Sequence, residues 1–149
     1  MKKERLEQRM YGFVPYNLSD IQKGIQFGHA VVEYQLKYGK DQNYLNFAKY
    51  DKTFIILNGG TTNDISGTLN ALQNDLKSLK VKFATFREPD LNNALTGIVF
   101  LLDEKVWNRE KYVYTAEECP FELDTQISLT KEEKQNLALR NFISKFRLA

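Results

Sequence analysis

The chain has 149 residues, 42% hydrophobic and 27% charged, the values of an ordinary globular domain with room for one core. Its 21 Lys and Arg against 19 Asp and Glu leave a net charge of +2, which alone argues for no nucleic-acid partner. A single cysteine, Cys119, excludes an internal disulfide; with a lone histidine, His29, a charged N-terminus and no apolar run near the roughly 20 residues of a membrane span, it points to a cytoplasmic protein without metal or cofactor.

In chain order, residues 9–15 (RMYGFVP) read as a short strand ended by Pro15. The first helix follows, capped by Asn17 or Ser19, with Asp20 in its first turn and Gly39 as its stop. Ile21, Ile25, Gly28, His29, Val32 and Leu36 recur at helical spacing, so this stripe is expected to meet the rest of the fold, with Gly28 admitting a close neighbour beside His29. A short helix over 43–50 precedes residues 53–58 (TFIILN), an apolar run that suits a strand covered on both faces. Beyond the turn NGGTTND, where Thr61 and Asp64 stand in a capping relation, Ile65, Leu69, Leu72, Leu76 and Leu79 mark the clearest helix. Residues 81–87 and 96–102 read as strands on either side of the loop EPDLNNAL. Strand, helix and strand over about 35 residues predict a βαβ unit with parallel strands. Residues 103–129 read as loop with one short helix or strand. A last helix opens at a Thr130–Glu133 capping box, with Leu139, Phe142, Ile143 and Phe146 as its stripe. The sum is one three-layer α/β domain over 1–149, a small mixed four-stranded sheet with helices on both faces.

The order of elements, and two local words, resemble the class-II peptidyl-tRNA hydrolase family. The first word is QKGIQFGHA, residues 22–30, similar to the family's Gln-x-Gly-His-Ala helix signature; the second is FREPDLNNALTG, residues 86–97, in the place of its Arg-Asp loop. The likeness covers about residues 9–102 and leaves 103–149 as an extension packing on that core. It implies hydrolysis of the ester between a peptide and tRNA, with tRNA as partner. In the family the site is a helix-opening lysine, a loop aspartate and two hydroxyl residues. Aligned on His29, the opening lysines fall on Asp20 and Gln22, with Lys23 the nearest basic side chain. The loop aspartate becomes Glu88, the first hydroxyl Asn92, and the second Ile98, with Thr96 two positions earlier.

Ester hydrolysis needs a group to activate water, donors for the oxyanion and a surface for phosphate. Lys23, His29, Glu88 and Asn92 are the candidates for chemistry, and Gln22, Gln26, Arg87, Asp90 and Thr96 for binding. Glu88 precedes Pro89, which favours extended backbone at a strand end, and a carboxylate near His29 would orient the imidazole. Each feature has a plainer reading: a packed histidine, a solvated helix start at Gln22 and Lys23, a simple Asn/Asp turn instead of an ion site at Glu88 and Asp90. Tyr34, Tyr38, Tyr44, Phe47 and Tyr50 lie among lysines, as a base-stacking platform, a helix contact or a homodimer face would. The rival function is a scaffold without turnover that binds RNA or protein; a small-molecule enzyme on the same fold is a third.

Overall fold

The computed structural model describes residues 5–62, 67–114 and 129–149. Four strands, β1 (Gln8–Val14), β2 (Thr53–Asn58), β3 (Phe83–Glu88) and β4 (Ala94–Asp103), form one mixed sheet in the order β2-β1-β4-β3. The helices are α1 (Asp20–Tyr38), α2 (Gln42–Asn46), α3 (Thr68–Ser78), α4 (Glu104–Trp107) and α5 (Lys131–Ile143), with a π turn over Phe47–Asp51. This is the expected α/β sandwich. β1 is parallel to β2 and antiparallel to β4, which is antiparallel to β3. β2 and β3 therefore point the same way, as the βαβ pattern requires. They are nevertheless the two edges of the sheet, with β1 and β4 between them. Local spacing sets direction, whereas long-range packing decides which strands are neighbours.

Alternation along the strands builds a core on each face. On one face Phe27, Ala30 and Tyr34 of α1 meet Met10, Val14, Ala84 and Val99. On the other, Leu69, Leu72 and Leu76 of α3 and Leu139 and Phe142 of α5 meet Tyr11, Phe13, Ile98 and Phe100. α5 begins at the expected capping box: Glu133 N donates to Thr130 Oγ1, and Thr130 N to the Glu133 carboxylate. The chain then returns to β2, where Asn58 N donates to Arg147 O and Ala149 N to Ile56 O, so this sheet edge is covered.

α1 packs through a face other than the one its apolar periodicity predicts. Gln26, Phe27, Ala30 and Tyr34 are buried, while Ile21 (76% exposed), Ile25, Val32 and Leu36 (77% exposed) look outward. The reason is shape. A Cβ on Gly97 of β4 would lie 2.8 Å from the Gln26 carbonyl oxygen and 3.0 Å from the Ala30 Cβ, so helix and strand approach through small residues where a β-branched face would not fit. A Cβ on Gly28 would meet nothing within 4 Å, so that glycine admits no close neighbour among the described residues. β2 is an edge strand with Phe54 half exposed, not a strand covered on both faces. Tyr34, Tyr44 and Phe47 are buried against one another, which removes them from any stacking platform or dimer face; Tyr50 stays exposed. Within 103–129, the described part holds the short helix α4. Asp64, Ile65 and Cys119 lie outside the described residues. Among the described residues no helix is long and apolar enough to cross a membrane.

Candidate functional site

β1, β2 and β3 end, and β4 begins, at one edge of the sheet, where α1 and α3 also start. Ligands of open α/β sheets bind outside the carboxyl ends of the strands. Ser19 caps α1 there, its Oγ accepting from Gln22 N, so Asn17 is left free of the capping role. Glu88 closes β3 in extended backbone (φ −82°, ψ 114°) before Pro89, after a register shift between Phe86 and Arg87 that re-aims the side chains following it. Asn92 (φ 54°) and Asn93 (φ 58°) then turn the chain through the left-handed region, which asparagine tolerates, and Asn93 N donates to Glu88 O at 3.0 Å.

This geometry brings α1 and the β3–β4 loop together. His29 Nδ1 lies 3.9 Å from Glu88 Oε2, with the imidazole 45% exposed and the carboxylate 14% exposed. The ring rests on Phe86, centroids 4.5 Å apart. Gln26 and Thr96 lie beneath, both buried. Thr96 Oγ1 donates to Gln26 Oε1 at 2.6 Å, and Gln26 Nε2 donates to Glu88 Oε2 at 3.3 Å. Gln22 is at the margin, its Oε1 3.5 Å from Gln26 Nε2. A buried hydroxyl is thus linked through an amide and a carboxylate to a solvent-facing imidazole.

A cavity of about 690 Å³ shares Thr96 with this chain of contacts, while His29 and Glu88 do not line it. Asn17, Thr62, Asn70, Arg87, Asn92 and Thr96 are among its lining residues, as is Asp90. The nine candidates therefore divide. Gln22, Gln26, His29 and Glu88 form the polar chain; Arg87, Asp90 and Asn92 line the cavity; Thr96 belongs to both. Lys23 joins neither: its side chain is 17% exposed and its ion pair is with Asp20, at 3.9 Å. The two lie three residues apart on the helix. Arg87 Nη1 donates to Asn93 O at 3.3 Å, so its guanidinium also braces the turn. Thr62, Asn70 and Asn93 are cavity residues that sequence reading passed over. Thr62 donates to Leu95 O, a long-range contact with no local signature; position at the carboxyl edge of the sheet was the available clue.

The arrangement can turn one imidazole nitrogen toward a carboxylate and leave the other open to a water, and the cavity has room for a small-molecule-sized group. No family model matches the chain, and comparison with curated proteins finds none that matches it.

Proposed function

We propose that the protein hydrolyses the ester between a peptide and tRNA, with His29 and Glu88 as the reacting pair. The observation that carries this reading is the approach of the half-exposed imidazole to the carboxylate, 3.9 Å, at the end of a polar chain whose buried root, Thr96, also lines the cavity. Nδ1 faces Glu88, which leaves Nε2 to take a proton from water. The water oxygen attacks the ester carbonyl, Glu88 steadies the imidazolium, and the proton passes on to the departing ribose oxygen. Asn92 and Arg87 supply donors toward the oxyanion, and Arg87 with the free N–H groups at the start of α1 attracts phosphate. Asp90 and Thr96, both lining the cavity, shape the space for the acyl group. A cytoplasmic location goes with this reading.

Purified protein incubated with peptidyl-tRNA or N-acetylated aminoacyl-tRNA is expected to release the acyl group. His29→Ala and Glu88→Gln are each expected to lower the rate by about 10²–10⁴-fold, the usual contribution of a general base or its partner. Unchanged rates in both variants would remove this site. One observation favours the rival reading of a binding scaffold: Lys23, the basic residue nearest the family's lysine positions, is paired with Asp20 and not with Glu88. Retention of RNA without any acyl release supports that reading, and sedimentation of the same sample reports whether the acting species is one chain or two.

A further inference from the structure

We propose that Gln26 is a positioning residue, whose buried carboxamide holds one oxygen of Glu88 against His29. This rests on the hydrolytic reading for its kinetic arm and stands apart from it in its spectroscopic arm.

An ionised carboxylate only accepts hydrogen bonds, a carboxamide offers one accepting and one donating end, and a hydroxyl does either. With Glu88 as the acceptor, the Gln26 amide has one orientation: Nε2 toward Glu88 and Oε1 toward Thr96. Thr96 must then donate, which it does at 2.6 Å. All three assignments follow from the carboxylate. Reversing the amide would set its carbonyl against a negative oxygen.

The target of the relay is specific. Gln26 Nε2 and His29 Nδ1 both approach the same atom, Glu88 Oε2, at 3.3 and 3.9 Å. Glutamate has three rotatable side-chain bonds, so a carboxylate at a loop edge has no intrinsic reason to keep one oxygen on the imidazole. The Gln26 donor supplies that reason. Gln26 itself cannot drift: it is 4% exposed, anchored to a fully buried Thr96, and its backbone sits 2.8 Å from where a Cβ on Gly97 would be. A rigid strand thus dictates the amide, and the amide dictates the carboxylate that faces the reacting ring.

The test exploits His29 being the only histidine. ¹⁵N spectra of its imidazole, at one fixed pH, report the balance of Nδ1–H and Nε2–H forms without overlap. Gln26→Leu and Thr96→Val are expected to move this pattern toward that of Glu88→Gln. Thr96→Ser, which restores a hydroxyl, is expected to recover the pattern lost in Thr96→Val. In turnover, Gln26→Leu should lower kcat by about 10–100-fold while KM changes by about twofold or less, the signature of misplacement and not of weaker binding. An imidazole pattern that stays as in the wild type in both Gln26→Leu and Thr96→Val overturns the proposal. So does failure of Thr96→Ser to recover the pattern. If Gln26→Leu does not fold, the Thr96→Val and Thr96→Ser pair decides. If the wild-type protein releases no acyl group, the hydrolytic reading fails, and the spectra still decide the role of Gln26.

Discussion

Two regions of this molecule bury polar side chains in chains of hydrogen bonds, and they end differently. On one face of the sheet, Arg140 of α5 is 1% exposed; its Nε donates to Val106 O at 2.6 Å and its Nη2 to Lys105 O at 3.1 Å. Its guanidinium lies 4.5 Å from the centre of the Tyr114 ring, and Tyr114 Oη itself donates to Lys105 O. These carbonyls close the four-residue helix α4, whose own turns cannot satisfy them, and a cation suits that helix end. The partners of Arg140 among the described residues are backbone carbonyls and the Tyr114 ring. On the other face, the Thr96–Gln26–Glu88 series is equally buried at its root but finishes at a ring that is nearly half exposed. The first network fastens α5 to α4. The second delivers orientation to a group that meets solvent. Burial of polar atoms alone does not separate the two roles; the position of the last member does.

The comparison breaks most sharply at Arg140. Replacing it with Met leaves several carbonyls without donors, at about 1–3 kcal/mol each, so Arg140→Met is expected to cost about 3–5 kcal/mol in denaturant unfolding. The folded fraction should keep the wild-type ¹⁵N pattern of His29. A variant that stays stable but disturbs His29 would mean that the two networks are coupled and that the division drawn between them is wrong.

Gly97→Ala tests the other network from beneath. The added Cβ meets a backbone oxygen and a backbone-anchored methyl, neither of which can swing aside, and overpacking of this kind costs about 1–3 kcal/mol. Because α1 must lift to accommodate it, the displacement should reach Gln26, and the His29 spectrum should change in step with stability. A loss of stability with an unchanged spectrum would show that the relay tolerates movement of its own support.

An ion-paired carboxylate, Asp51, belongs to neither network. The Asp51 side chain is 4% exposed and takes both nitrogens of the Arg5 fork at 2.7 Å, together with Gln8 N at 2.9 Å. Burial pushes its carboxyl up, but the Arg5 guanidinium and the Gln8 N–H outweigh this and hold it below the ordinary carboxylate value. A depressed carboxylate stabilises the fold above its unfolded pKa, and that share is lost as pH falls through the folded value. Asp51→Asn is therefore expected to cost about 1–2 kcal/mol near neutrality and to flatten the acid limb of a stability–pH curve. An unaltered acid limb in the variant would assign acid sensitivity to other groups.

How much of this was legible depends on how local each signal is. The Thr130 cap of α5 and strand β2 over Thr53–Asn58 fall where the sequence places them, because capping and an apolar run act within a few residues. Asn92 was read for its side chain, although its left-handed backbone is the more evident contribution. The neighbours of β2 and β3 were not legible, since the spacing of the βαβ pattern fixes direction alone. The meeting of His29 with Glu88 was expected from two local words that resemble a family signature, not from periodicity. Gln26 was named for its place in that signature; its partnership with Thr96 depends on an approach at Gly97 that no local rule announces.

The largest misreading, the face of α1, yields the smallest predicted effect and a clean test of why it arose. Ile21, Ile25, Val32 and Leu36 are the residues that apolar periodicity selects, yet they occupy the outer surface. The buried face includes a glutamine and an alanine, which score poorly as apolar markers but satisfy two demands that hydropathy does not see. Ala30 is small enough for the approach to Gly97, and Gln26 answers Thr96. If that account is right, Ile21→Gln and Leu36→Gln remove side chains that were already in water, and each should change stability by less than about 0.5 kcal/mol. Ala30→Ile, which restores apolar periodicity to the buried side, should instead cost about 1–3 kcal/mol through overpacking. The opposite ranking, with the outer glutamines more damaging than the inner isoleucine, would place the apolar stripe back inside the fold and detach Gln26 from the site it is proposed to organise.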